Sequence, residues 1–364
     1  MSRLPASRPT LLPTLRRLWR DPHRLQIGTD PGRAVMLELT DPAWSRLLDL
    51  LDGTRTEARV LREAARVGLP QQECAELLGA LRRAGFVVDA EALAPPELTE
   101  AVRRRLDLEA AALALRQPSR QHGPSAAEAI RRRTRAQILV TGASQLAVPI
   151  ASTLASSGVG HVDPDVSGVA RAHDAVPAGL LPTDAYRPRG VAAAEAVRRA
   201  APDIDVSALR PSAATFAVIV GYVAPAALTA LSLGSRRLAH LAVAVRDGVV
   251  VVGPLVRPGQ TPCLNCLDLH RQDRDPAWLR VAAQLNTGPD AAEPVTATTA
   301  LAGAAYAAAE VLAHIDGVPP TTLGATVEIS GPGHSIRRRW TLHPRCGCRR
   351  RSRSRSATPP TTHA

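Results

Sequence analysis

Gln137-Ile138-Leu139-Val140-Thr141-Gly142-Ala143-Ser144-Gln145-Leu146-Ala147 is a short apolar run, a glycine, then residues whose apolar spacing continues at helical period through Ser157. That order predicts a strand over 138–141, a tight turn at Gly142, and a helix over 145–157. A second strand, 160–163, ends on Asp163, 21 residues past Gly142. In a dinucleotide-type βαβ unit this turn carries G-x-G-x-x-G, and the second strand ends on an acid for a ribose. Of the three glycines only Gly142 is present; Ser144 and Ala147 stand at the other two positions.

Alternation continues downstream. A strand at 216–221 precedes a helix at 225–234, with Pro225 dividing the longest apolar run so that it reads as strand then helix and not as a membrane span. Runs 238–245 and 249–256 flank Asp247-Gly248, the dipeptide of a two-residue hairpin turn with two positive φ angles. Helices are expected near 276–286 and 296–314, then a β pair, 325–329 and 335–342, around Gly331-Pro332-Gly333. The Pro- and Gly-rich stretch 164–190 is expected to cross the surface. Together these elements make 135–348 a Rossmann-like, doubly wound α/β domain.

Upstream, residues 1–95 read as a winged-helix unit. Strands 25–28 and 33–39 flank the turn Thr29-Asp30-Pro31-Gly32, and three short helices follow, opened by Asp41-Pro42, Thr56 and Pro70. Residues 96–134 read as a linker with one helix over 97–116. Residues 349–364, beginning Arg-Arg-Arg-Ser-Arg-Ser-Arg-Ser, read as a disordered basic tail.

Composition narrows the chemistry. Of 364 residues, 45 are basic and all are arginine, so no lysine is available for a Schiff base or a phosphate-gripping loop. Aromatics are 2%, too few for base-stacking platforms. The net charge is +12, but residues 331–364 hold nine arginines and no acid, which leaves 12 − 9 = +3 for the rest. No specific nucleic-acid partner is therefore expected. The first apolar stretch, 11–18, is broken by Pro13, Arg16 and Arg17, so no signal peptide is read and the expected location is cytoplasmic.

Four of the five cysteines form two close pairs, Cys263-x-x-Cys266 and Cys346-x-Cys348, about eighty residues apart. Two such loops complete a four-sulfur site with no open position, which suits structural Zn2+; a redox dithiol is the alternative. A redox pair would open a helix after a strand, whereas here Pro262 precedes the first cysteine and a second pair exists. Cys74 lies on an apolar helix stripe and reads as core. Asp268 and His270, just past the first pair, read as helix-surface polarity.

Gly253-Pro254-Leu255-Val256, Pro258-Gly259-Gln260-Thr261-Pro262-Cys263-Leu264-Asn265-Cys266 and His343-Pro344-Arg345-Cys346-Gly347-Cys348 resemble the ThiF-like, E1-type fold. The resemblance is nearest to the ThiF-like partner proteins of thiazole/oxazole-modified microcin (TOMM) cyclodehydratases. The N-terminal hairpin and helices resemble the PqqD-like element that binds a precursor's leader peptide. The resemblance covers about 20–348 and is weakest over 164–215. It implies an adenylating site built from a glycine loop, an acid on the ribose, an arginine and a lysine on the phosphates, and an aspartate after the fourth strand. Gly142 and Asp163 match in part. Arg171 lacks the Asn-x-Arg-Gln context, the fourth strand ends Val220-Gly221-Tyr222 without a carboxylate, and no cysteine is left for a thioester. Little is left to hold ATP or neutralise its phosphates.

The resemblance thus implies a catalytically degenerate adenylyltransferase with a structural zinc clip on Cys263, Cys266, Cys346 and Cys348. It would act as a homodimer that brings a leader peptide to a separate ATP-dependent YcaO-type cyclodehydratase for azoline formation. The peptide would add as a strand along the hairpin edge at Arg33, Val35 and Leu37, its side chains resting near Leu78, Leu81 and Arg82. Two other readings compete. One is an active ThiF-type enzyme that adenylates a C-terminal carboxylate with ATP. The other is a winged-helix DNA regulator, against which Pro70-Gln71-Gln72-Glu73, neutral to acidic where a recognition helix would enter the groove, argues.

Overall fold

A computed structural model describes residues 7–13, 15–39, 43–116, 124–210, 212–221, 226–284 and 293–349. The helix-opening Asp41-Pro42, Tyr222, Pro225 and the basic tail beyond 349 lie outside the described residues. The chain divides into two compact units, Met1–Arg132 and Arg133–Ala364.

In the first unit β1 (Pro9–Leu11) is followed by β2 (Arg17–Asp21), β3 (Arg24–Ile27) and β4 (Val35–Glu38), then α1 (Ala43–Asp49), α2 (Glu57–Arg66), α3 (Gln71–Arg83), β5 (Val87–Asp89), α4 (Ala90–Leu93) and α5 (Glu100–Arg116). β2, β3 and β4 form an antiparallel sheet in that order, and β1 pairs with β5. The β3–β4 hairpin and the three helices stand where the sequence places them; β1 and β2 were not read there. Leu25, Ile27 and Leu37 on one face of the sheet pack with Trp44, Leu47, Val60, Cys74, Leu78, Leu81 and Phe86. Burial raises the Cys74 thiol, as fits a core cysteine.

The stretch 96–134 is more than a linker with one helix. α6 (Ala126–Arg135) follows α5, and Leu106, Ala110 and Leu113 of α5 meet Ala126, Ala129 and Ile130 of α6 in a second core with Leu12 and Leu93. Of the arginines that make α6 look like solvated linker, Arg131 and Arg132 are paired with Glu97 and Glu128, whereas Arg133 is buried and paired with Asp316 at 2.6 Å.

The second unit contains β6 (Gln137–Thr141), α7 (Ala147–Ser156), β7 (His161–Asp165), α8 (Arg189–Ala200), β8 (Phe216–Val220), α9 (Ala226–Ser235), β9 (Ala239–Arg246), β10 (Val249–Val256), α10 (Leu264–Arg274), α11 (Trp278–Gln284), α12 (Ala297–Asp316), β11 (Ala325–Gly331) and β12 (His334–Arg339). The sheet order is β12-β11-β10-β9-β8-β6-β7. β7, β6, β8 and β9 run parallel; β10, β11 and β12 add antiparallel. Alternate residues divide the strands between two faces. Ile138, Val140, Phe216, Val218, Leu241 and Val243 pack with α7, α8 and α12. Ile219 and Ala242 meet Ala226 and Leu264 from α9 and α10 on the opposite face.

α12 is alanine-rich because it lies tight on the sheet: a Cβ at Gly303 would fall 2.4 Å from Val250 Cγ1. The Thr296 hydroxyl accepts the Thr299 N–H at its start, and Gly317, at φ +81°, ends it. The β9–β10 turn has Asp247 at φ +49° and Gly248 at φ +84°, the two positive angles expected. The stretch 164–190 differs from expectation: Ala170, Asp174, Leu180 and Asp184 are buried, so it packs and does not merely cross the surface. Its buried aspartates end two short 3-10 helices, Ala172–Asp174 and Pro182–Asp184, and accept the N–H groups of Arg171 and Leu181 just before them. Among the described residues no helix is long and apolar enough to cross a membrane.

Candidate functional site

β6 lies between β7 and β8, so chain order reverses at the carboxyl ends of β6 and β8, the place where an open α/β sheet forms its ligand crevice. Gly142 stands there at φ +129°, and a Cβ on it would fall 1.8 Å from the Val220 carbonyl oxygen. A close approach of two strand ends therefore requires this glycine whether or not a ligand is bound. Ser144, nearly fully buried, hydrogen-bonds through its hydroxyl to the Glu293 carboxylate, and Gln145 Nε2 donates to the Glu293 carbonyl at 2.7 Å. The Val245 backbone adds a hydrogen bond to that carboxylate, and burial raises Glu293 above the usual carboxylate range.

The guanidinium beside the loop belongs to Arg189. Its Nη1 donates to the Ala143 carbonyl at 2.7 Å and its Nη2 lies 3.4 Å from Asp174 Oδ1, while its buried Nε has no partner. Arg171, the arginine singled out from sequence, also lines the cavity here, with Ala143, Gln145, His173, Asp174, Arg189 and Glu293. That cavity holds about 120 Å³, against the roughly 300 Å³ at which small-molecule sites begin. The spacing predicts that Asp163 ends its strand, but Asp163 lies in the middle of β7, which runs on to Asp165; it is 8% exposed, its Oδ2 accepts the Leu209 N–H at 2.7 Å, and burial raises its pKa. Ser144 was marked by the sequence only as a replacement for the loop's second glycine, and Arg189 and Glu293 gave no usable sequence signal, since their meaning depends on segments that meet only in the fold. A wider groove of about 550 Å³ between α7, α8 and residues 175–182 is floored by small side chains such as Ser156, Ala196 and Ala200.

The four cysteines converge. Cys263 is the residue before α10, and its Sγ lies 3.8 Å from that of Cys266 and 3.6 Å from that of Cys346; Cys266 and Cys348 are 3.6 Å apart. Tetrahedral metal–thiolate bonds of about 2.3 Å place sulfurs about 3.8 Å apart, so the set fits a closed four-sulfur metal site. Cys266 is held below the usual thiol range by hydrogen bonds from Cys263 and Cys348, and Asn265 Nδ2 donates to Cys346 Sγ at 3.4 Å. The pair does open a helix after a strand, contrary to the sequence criterion used against a redox dithiol; the argument for a metal rests on the second pair arriving at bonding distance.

Beside this cluster His343 Nε2 lies 2.7 Å from Asp273 Oδ2, and Arg345 also pairs with Asp273. The Arg345 N–H donates to His343 Nδ1, so the ring proton sits on Nε2, which donates to Asp273. That tautomer does not suit metal ligation through Nε2. The trio, like His270 Nε2 against the Thr341 carbonyl at 3.0 Å, pins the C-terminal segment to α10.

Among the described residues of the first unit β4 pairs only with β3, which leaves its other edge without a strand partner among them. The side chains chosen from sequence mostly hold the unit together. Leu78 and Leu81 are fully buried, Leu37 is buried and Val35 half-buried; Arg82 pairs with Glu57 at 2.7 Å, and Arg33 donates to the Leu115 carbonyl at 2.6 Å. What β4 presents outward is Met36 and Glu38, which the sequence reading passed over.

The fold is that of a doubly wound α/β protein with a mixed seven-stranded sheet, beside which four cysteines converge. No family model matches the chain, and no curated protein does. Among solved structures it is similar to E. coli MccB bound to succinimide, with TM-score 0.61 and 14% identity over 93% of this chain and 99% of that one. The microcin C7 biosynthetic enzyme MccB in complex with N-formylated MccA gives TM-score 0.59 and 13% identity over 94% and 99%. The heterocyclase TruD gives TM-score 0.56 and 17% identity over 99% of this chain but only 45% of TruD.

Proposed function

We propose that the chain is a ThiF-like scaffold that binds the leader of a ribosomal precursor peptide and presents it to a separate YcaO-type, ATP-dependent cyclodehydratase for azoline formation. The observation that carries this is the pair of structural neighbours. MccB, which matches nearly end to end, is seen with MccA, and TruD is a heterocyclase of which this chain matches less than half. The open edge of β4 offers backbone groups for an added strand, with Val35 and Leu37 fixing the strand from behind and Met36 and Glu38 beside the incoming peptide.

Adenylation by this chain is not part of the proposal. Ser144 and Glu293 fill the loop after β6, Asp163 is engaged by Leu209, and the cavity is too small for a nucleotide. Zn2+ on Cys263, Cys266, Cys346 and Cys348 would have a structural role, fixing the segment after β12 to the start of α10. The working unit is proposed to be a cytoplasmic homodimer.

A display library of random extended peptides, selected on the zinc-loaded protein, tests the reading. Enriched sequences are expected to slow amide exchange in β4 and to leave ATP–pyrophosphate exchange at background. No enrichment, or protection confined to the second unit, would sink the scaffold reading; peptide-dependent pyrophosphate exchange would favour the adenylating enzyme.

A further inference from the structure

The crevice at the ends of β6 and β8 is filled by a side chain of the protein itself. Glu293 reaches it from the residues preceding α12, and its carboxylate takes the Ser144 hydroxyl and a Val245 backbone hydrogen bond while its carbonyl takes Gln145 Nε2. Gly221, which follows β8, lies against Ser144: a Cβ on it would be 3.9 Å from the Ser144 nitrogen. The carboxylate is thus held at the switch point itself.

Charge makes the arrangement specific. The cavity walls carry two guanidinium groups, Arg171 and Arg189, and two carboxylates, Asp174 and Glu293. Asp174 is committed, with Oδ2 accepting the Arg171 N–H at 2.9 Å and Oδ1 facing Arg189. Glu293 is the carboxylate whose charge interacts favourably with Arg189. Without that charge Arg189 would lose this interaction, with its buried, unpartnered Nε still to be satisfied.

We propose that Glu293 is a built-in occupant of the crevice, a carboxylate standing where the phosphate of an outside ligand would go, and that it shuts the crevice to phosphate-bearing ligands while it remains charged and in place. The proposal is independent of the peptide reading. A crevice that had only lost its function would need no anion of its own; this one has a carboxylate with matched donors.

The test is calorimetric titration of the full, metal-loaded chain with inorganic pyrophosphate and with Mg-ATP, comparing wild type, Glu293→Ala, the isosteric Glu293→Gln, and Glu293→Ala combined with Arg189→Gln. Wild type should give no saturable heat at millimolar ligand. Both single variants should bind pyrophosphate at least about tenfold more tightly than wild type, the scale of a charge-assisted contact, and the double variant should lose that gain. Equal affinity in wild type and variants overturns the proposal. So does no binding by a Glu293→Gln protein whose near-ultraviolet circular dichroism matches wild type. Peptide selection on the same proteins reports on the scaffold reading alone.

Discussion

Gly142 shows how one residue can be identified for one reason and required for another. Its place after a strand marks it as the first glycine of a phosphate loop, yet the Val220 carbonyl, 1.8 Å from where a Cβ would be, demands glycine on steric grounds. Gly142→Ala should therefore destabilise the protein by about 3 kcal/mol, the sum of a strained positive φ and a backbone clash. Urea unfolding would show it, and a loss below about 0.5 kcal/mol, the scale of an ordinary surface substitution, would refute the packing argument. Asp163 gives the complementary lesson: spacing places it at the strand end, but the Leu209 N–H that occupies its carboxylate comes from a segment 46 residues away that no local pattern connects to it. Leu78 and Leu81 were chosen as contact residues because they are apolar and helical, and the same properties put them in the core.

At the scale of elements, periodicity and turn chemistry were most informative where they act locally. The β9–β10 hairpin and its Asp247-Gly248 turn, α7 and α12 all follow from spacing. α6 and α8 did not, because arginine-rich helices between Pro- and Gly-rich stretches look like solvated linker until their small apolar stripes are seen packed. The cysteine pairs were legible as a set since thiolate spacing is fixed by metal geometry and not by context. Purified protein should carry one Zn2+ per chain, released by a strong chelator together with a fall in melting temperature of about 10 °C or more, as loss of a few kcal/mol implies for a unit of this size. Cys348→Ser should reproduce the fall; metal content near zero in protein that melts like wild type would exclude a structural metal.

Across the whole molecule, composition gave the class and the position of the charge, and the sequence divided the chain into four segments where the structure has two compact units. Global stability should depend on pH through His240, on the central strand β9. Its Nδ1 is 3.0 Å from the Leu238 carbonyl, its Nε2 has no partner, and burial lowers its pKa to about 4 from 6.5. The native protein keeps the ring neutral while the unfolded chain protonates it. Stability is therefore fully present above pH 6.5 and falls as pH drops from about 6.5 to about 4, by up to about 3 kcal/mol, with no further loss from this group below that. Denaturant unfolding from pH 7 to 4.5 should show the slope, and His240→Leu should flatten it; an unchanged slope in the variant would remove His240 as its source.

With a metal bound, the sulfur cluster would also close a ring. Cys263 and Cys346 are 83 residues apart, and α11, α12, β11 and β12 all lie between them. Inside such a ring the last strands cannot be unpicked from their free end, much as a hem stays sewn when the cloth beyond it is cut. Whatever follows residue 349 could then be trimmed, lengthened or joined to another polypeptide with the pull taken by the metal site.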